Sequence, residues 1–304
     1  MENNLGPRSR KHQSKKTTLK WSTRHTVLLA LVAIILTIFL FRVSRYFKQD
    51  VISVNQAYLY QKSDLDSQKT ASLPQGSRIT ILSSRYHWYY IKTDDGHLGW
   101  IPDWYFSTDK QITVTSLKNA TIVLDAGHGG RDSGALSSGE AEEKTYTLIY
   151  IKELARKLQA RGAKVYLTRN KDEYISLAAR PQLSNRVHAD AFISIHFDSS
   201  PDANTASGVT TYYYSKKLSY SLAYNLSSQF SSLGLDNKGI DFGNFQVLRD
   251  NQRPAVLLEF GYINSDNDFA MIKSSKYRNA ATNDIIKGLN NYFTAKADDE
   301  SETK

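Results

Sequence analysis

The chain has 304 residues, 40% of them hydrophobic, which is room for one ordinary domain and a small companion. Cysteine is absent, which excludes disulfide staples and thiolate ligands and leaves His, Asp and Glu for any transition-metal centre. The net charge is +9, but Arg8, Arg10, Lys11, Lys15, Lys16, Lys20 and Arg24 precede residue 25 against Glu2 alone, so the remainder carries +3 and makes no case for a nucleic-acid partner.

Residues 1–24 read as a basic cytoplasmic tail. Thr26–Phe41 is an uncharged run of 16 residues, a little short of the ~20 that cross a bilayer core, and Trp21 and Val43 extend it at the two interfaces. The segment 25–43 is therefore predicted to be a transmembrane signal anchor. Arg42-Val-Ser-Arg45 follows the run where a cleaved signal peptide would have small residues. Seven bases before the span outweigh Arg42, Arg45 and Lys48 after it, which keeps the tail in the cytoplasm and places everything beyond about 43 outside.

Residues 51–106 hold short β-rich runs at Arg78–Leu82, Trp88–Lys92 and Gly99–Ile101, with turn signals at Pro74–Gly76 and Asp94–Gly96. They predict hairpins in a small all-β barrel. The pattern Gly76, Ile79-Thr-Ile81, Trp88-Tyr-Tyr-Ile91, Asp95-Gly96, Gly99-Trp-Ile101 resembles the bacterial SH3-like domain, although Val54–Gln61 departs from it. Tyr86, Trp88, Tyr89, Trp100 and Trp104 either line a peptide groove or belong to the barrel's core. Ser107–Asn119 is polar and without periodicity, as a linker would be.

From residue 120 strands alternate with helices. Strands are predicted at 121–125, 164–169, 190–196, 208–214 and 254–260, and helices at 143–161, 175–187, 216–232 and 276–293, with Leu148, Ile151, Ala155 and Leu158 as the first helix's apolar stripe. This alternation predicts an α/β domain over 120–294, a mostly parallel sheet flanked by helices. Residues 295–304 are expected to be a disordered tail.

Three apolar runs in this domain end in a polar residue. Thr121–Leu124 leads through Asp125-Ala126-Gly127 to His128; Ala191–Ile195 closes on His196; Pro254–Leu258 closes on Glu259. Each alone is explicable as a hydrogen-bonded structural residue or a cap. Three at one end of one sheet suggest a metal site in the crevice beyond the strands, because isolated buried ionisable groups are costly without compensation.

The segments Leu124-Asp-Ala-Gly-His-Gly-Gly130, Asp132, Gly134-Ala135, Glu143-Lys144, Leu148, Ser194-Ile-His196 and Pro254-Ala-Val-Leu-Leu-Glu-Phe-Gly-Tyr-Ile-Asn264 resemble the zinc-dependent N-acetylmuramoyl-L-alanine amidases. Members of that family cut the amide between the lactyl group of muramic acid and the first L-alanine of the peptidoglycan stem. The resemblance implies the zinc amidase fold, Zn2+ held by His128, Glu143 and His196, and Glu259 as the catalytic carboxylate acting on a zinc-activated water. It implies peptidoglycan as the partner; nothing in the sequence points to a protein partner. Glu140 and Glu142 are the competing carboxylates for Glu143. Asp125 serves either as a hydrogen-bond partner of a ligand imidazole or in the turn. Arg180 and Asn185 fit the family pattern or are structural, and Arg249 meets a stem-peptide carboxylate or a surface acid. Phe197-Asp-Ser199 departs from the common pattern and is expected to alter the site wall. The glycines beside His128 are expected to let a bulky glycan strand come close to the metal.

No His-Glu-x-x-His, Gly-x-Ser-x-Gly or phosphate-loop motif occurs. The alternatives are a catalytically inactive amidase-fold protein that binds or scaffolds the wall, and a membrane-anchored interaction protein working through the SH3-like module. The presence of all four site candidates argues against the first, and the departure at Val54–Gln61 against the second.

Overall fold

The computed structural model of the protein describes residues 22–47 and 49–302; most of the predicted basic tail, Lys48 and the last two residues lie outside the described residues. The chain divides into two compact units at Asp50. In the first, helix α1 (Thr23–Phe47) contains a candidate membrane span, Thr23–Ser44, with mean hydropathy 2.7. At 1.5 Å per residue its 22 residues extend about 33 Å, enough for a hydrocarbon core of about 30 Å. Its large apolar side chains, from Val27 to Phe41, are exposed on every side.

The β-rich region forms a six-stranded sheet of β1 (Asp50–Val51), β2 (Gln56–Tyr60), β3 (Lys69–Pro74), β4 (Arg78–Arg85), β5 (Trp88–Thr93) and β6 (Leu98–Pro102), in the order β1-β4-β5-β6-β2-β3, with β2 to β6 paired antiparallel. Its core is Ile52, Ala57, Leu59, Ile79, Ile91, Ile101 and Phe106. The segment whose sequence departs from the SH3 pattern is β2, and it still inserts Ala57 and Leu59 into that core. Gly99 packs closely there: a Cβ would lie 3.0 Å from Leu59 Cδ2.

The α/β region is a second six-stranded sheet built from β7 (Thr121–Ala126), β8 (Lys164–Leu167), β9 (Ala191–Asp198), β10 (Val209–Tyr213), β11 (Asn237–Phe242) and β12 (Ala255–Tyr262). The order is β11-β10-β12-β9-β7-β8, and every pair is parallel except β10 with β12. One face carries α2 (Glu143–Gln159), α4 (Lys216–Ser227), α6 (Asp266–Ile272) and α7 (Ser275–Glu302); the other carries α3 (Ala179–Arg186) and the single turn α5 (Gln246–Arg249). On α2 the buried stripe is Tyr150, Ile151, Leu154, Ala155 and Leu158, the i, i+4 spacing that one helix face imposes. Even-numbered side chains of β7 (Ile122, Leu124, Ala126) enter this helical core, so odd-numbered Asp125 faces the thinner α3/α5 side.

Two expectations change. Residues 295–302 continue α7 instead of forming a disordered tail, because Ala295, Lys296 and Ala297 are good helix formers and extending a helix costs no new nucleus. The stretch read as a linker is packed: Val114 and Leu117 are buried in the core of the α/β region.

The SH3-like sheet is docked on the α/β sheet at the N-terminal ends of β7 and β9. His87, in the β4–β5 turn, lies between Asp103 (Nδ1 to Oδ2, 2.8 Å) and Asp190 (Nε2 to Oδ1, 2.9 Å), and Asp190 also accepts the backbone N–H of Thr121. Trp104 stacks flat on His188 at 4.0 Å, while Lys164 and Tyr166 bond to Asp64 and Arg186 to Asp66. Tyr86 and Trp88 are buried beside Lys164. These aromatics do not line an open groove, as one reading allowed.

Burial alone would lower the His87 pKa, but its hydrogen bonds to the two aspartates outweigh that and raise it to about 9. A raised histidine pKa stabilises fully below its unfolded value of about 6.5, and the contribution is lost as pH rises through 9. The thermal midpoint of the wild-type chain should therefore fall between pH 6.5 and 9.5 more steeply than that of His87→Gln. Parallel pH profiles of the two proteins would contradict this coupling.

Candidate active site

Because β7, β9 and β12 run parallel, their C-terminal ends open on one side of the sheet. The chain leaves β7 at Gly127 and places His128 in the left-handed region, φ 60°. Two buried arginines hold this turn. Arg180 donates to Ala126 O (2.8 Å) and His128 O (2.9 Å), and Arg169 to Ala126 O (3.0 Å) and Gly127 O (2.9 Å). The loop then returns to α2, whose first residue is Glu143, with Gly134 and Ala135 packed against it.

The ligating atoms of His128, Glu143 and His196 all lie within 4.8 Å of one another, the one such cluster among the described residues. His128 Nε2 is 3.0 Å from Glu143 Oε2, His196 Nδ1 is 3.0 Å from Glu143 Oε1, and the two ring nitrogens are 3.1 Å apart. The carboxylate is fixed by backbone donors, Phe197 N to Oε1 (3.0 Å) and Ala135 N to Oε2 (2.9 Å). Asp132 takes the other side of His128, 2.9 Å from Nδ1. An ionised aspartate only accepts, so Nδ1 carries a proton, and in the neutral ring the Nε2 lone pair faces Glu143; burial works to lower the ring's pKa, but Glu143 and Asp132 outweigh it and raise it. A lone pair facing a carboxylate at 3.0 Å requires a cation or a second proton between them. This donor set fits a metal ion.

The electrostatics agree. Burial works to raise the Glu143 pKa, but the two imidazoles outweigh it and hold the carboxyl far below its usual range. Glu259, opposite His196 in the β12–β9 register, shows the reverse. Burial first, then the negative charges of Glu143 and Asp198, push its carboxyl well above the usual range. Its Oε2 is shielded from solvent and has no hydrogen-bond partner in the structure.

Of the competing carboxylates, Glu140 is exposed at a turn and Glu142 pairs with Lys144. Asp125 bonds no ligand imidazole. It is the buried counter-ion of Arg180 (2.8 Å) and accepts from Ser194 and Thr168, and these partners, Arg180 first, hold its pKa down against burial. Asn185 bonds the backbone of Asp250 and Gln252, and Arg249 pairs with Asp250 and bonds Asn244. Phe197 points into the helical core against Tyr146 and Tyr150 instead of forming the site wall.

The glycines also serve a different purpose from the one expected. A Cβ on Gly127 would sit 2.3 Å from the His196 ring, and one on Gly134 would sit 2.5 Å from Glu143 Oε2 and 2.6 Å from the His128 ring. They make room for the clustered side chains. Arg169 does not enter the sequence reading, and Asp132 enters it only as part of the family pattern, without the contact to His128 found here.

Residues 122–291 match the N-acetylmuramoyl-L-alanine amidase family, and residues 55–107 match the bacterial SH3 domain. A protein of Staphylococcus saprophyticus described as probable cell wall amidase LytH is 33% identical over 293 residues, covering 90% of this chain and 98% of its own. Its namesake in Staphylococcus aureus is 41% identical over 210 residues, 67% of this chain and 70% of its own. Among solved structures, an N-acetylmuramoyl-L-alanine amidase from Clostridium difficile 630 superposes with TM-score 0.56 at 35% identity, over 58% of this chain and 98% of that one. The catalytic domain of CwlV from Bacillus (Paenibacillus) polymyxa superposes with TM-score 0.55 at 33% identity, over 57% and 97%.

Proposed function

The chain belongs to the N-acetylmuramoyl-L-alanine amidase family, and we propose that it hydrolyses the amide between the muramic-acid lactyl group and L-alanine of peptidoglycan at a zinc centre held by His128, Glu143 and His196. The observation that carries this reading is the convergence of His128 Nε2, Glu143 and His196, with His128 Nδ1 held by Asp132, and Glu259 opposite His196 in the sheet with an unpartnered oxygen. Two imidazoles and one carboxylate are a donor set that zinc accepts with a position left open. When bound, zinc supplies Lewis-acid polarisation of the amide carbonyl and lowers the pKa of water toward about 7.

The protein's own groups do the rest. Asp132 fixes the tautomer of His128, and the N–H groups of Phe197 and Ala135 orient Glu143. Glu259 takes the proton of the attacking water and passes it to the leaving amine nitrogen. Arg180 and Arg169 keep the turn at His128 closed. The apolar helix α1 anchors the enzyme in the membrane with residues beyond it facing the wall, and the catalytic domain comprises residues 120–294 behind an SH3-like domain of 51–106.

Digestion of purified peptidoglycan by the full-length chain should release new N-terminal L-alanine in step with muramoyl carboxylates. New reducing sugar ends alone, or new N-termini of another residue, would overturn the proposed reaction.

A further inference from the structure

The strand order lays the site out laterally. His128 follows β7, His196 is on β9, Glu259 on the neighbouring β12, and β10 comes next. Glu259 pairs with Thr210 of β10, and Tyr212, two residues on, shares the face of Glu259. Phe245 packs edge-on against Tyr212, ring centroids 5.2 Å apart.

The position of Phe245 is built into the backbone. A Cβ on Gly243 would lie 2.5 Å from Phe245 Cε2, so the ring occupies the space that the missing side chain leaves. With Leu257, Val247 and Leu177, Phe245 lines the same cavity as His128, Asp132 and His196. Phe245 remains 40% exposed and Leu177 54%, apolar surfaces presented to whatever enters beside the metal-binding cluster.

The scissile amide supplies a matching shape, since L-alanine carries a methyl on the carbon bonded to the amide nitrogen. Glu259, which protonates that nitrogen, is on β12, between His196 on β9 and Tyr212 on β10, the residue against which Phe245 packs. A carbonyl placed at His128 and His196 therefore puts the leaving nitrogen at Glu259 and the alanine side chain over β10. We propose that Phe245 is a specificity-determining residue, whose ring receives the L-alanine methyl and selects stems that begin with L-alanine over stems that begin with glycine. This rests on the amidase reading above and adds the residue that reads the leaving group.

One methyl in an apolar pocket discriminates by roughly 10- to 200-fold. The test compares kcat/KM of the full-length enzyme on muramoyl-L-alanyl and muramoyl-glycyl peptides of otherwise identical sequence. The wild type should prefer L-alanine by about tenfold or more, and Phe245→Ala should bring the two within about threefold. Phe245→Leu, which keeps an apolar surface, should retain most of the preference. The same ratio should appear in the dissociation constants of the uncleaved peptides for Glu259→Gln, measured by calorimetry, and collapse in the Glu259→Gln, Phe245→Ala double variant. Wild type cleaving both peptides equally, or Phe245→Ala keeping the wild-type ratio, would overturn the assignment of Phe245. Wild type cleaving neither would overturn the amidase reading itself.

Discussion

Replacing Glu259 by glutamine is expected to slow amide hydrolysis by about 10²- to 10⁴-fold, the usual contribution of a positioned general acid–base group, while leaving metal content at the wild-type level. Glutamine keeps the size and both heavy-atom positions but cannot accept a proton from water. No hydrogen bond holds Oε2, so the substitution breaks no contact there, and its effect on folding should be small. The low pH limb of kcat/KM, where a base must be ionised, should disappear with the carboxylate. Single-turnover rates on a soluble muramoyl peptide would measure both changes. A Glu259→Gln enzyme within threefold of wild type would remove Glu259 from the chemistry.

Much of this site is readable from the chain because a parallel sheet gathers strand ends. Apolar runs that stop at His128, His196 and Glu259 mark three such ends, and nothing but the alternation of strands and helices is needed to bring them to one side. Glu143 is different. It starts a helix, and composition alone does not separate it from Glu140 and Glu142; what separates them is the return of the loop, where the N–H groups of Ala135 and Phe197 converge on one carboxylate.

The parts that sequence did not yield are those whose partners are distant in the chain. Arg169 ends its reach 42 residues away at Gly127 O, and His87 meets Asp190 across a separation of 103. No periodicity encodes such contacts. The short elements β11, α5 and α6 were missed because six, four and seven residues carry too few repeats for a pattern. The glycines were recognised as necessary but for the wrong neighbour, since a sequence does not reveal that the His196 ring fills the space beside Gly127.

The centre itself is tested by removing its ligands. Loss of a partner that merely orients a metal-bound side chain costs about 10- to 100-fold in affinity, so deletion of a ligand should cost more. The decisive measurement is elemental analysis of the purified full-length chain after dialysis against a weak chelator, beside circular dichroism to confirm folding. Wild type and Glu259→Gln should each retain about one zinc per chain, whereas His128→Ala, Glu143→Ala and His196→Ala should each fall well below stoichiometry while remaining folded. Stoichiometric zinc in any of the three ligand variants, or a folded wild type that binds none when zinc is supplied, would contradict the account.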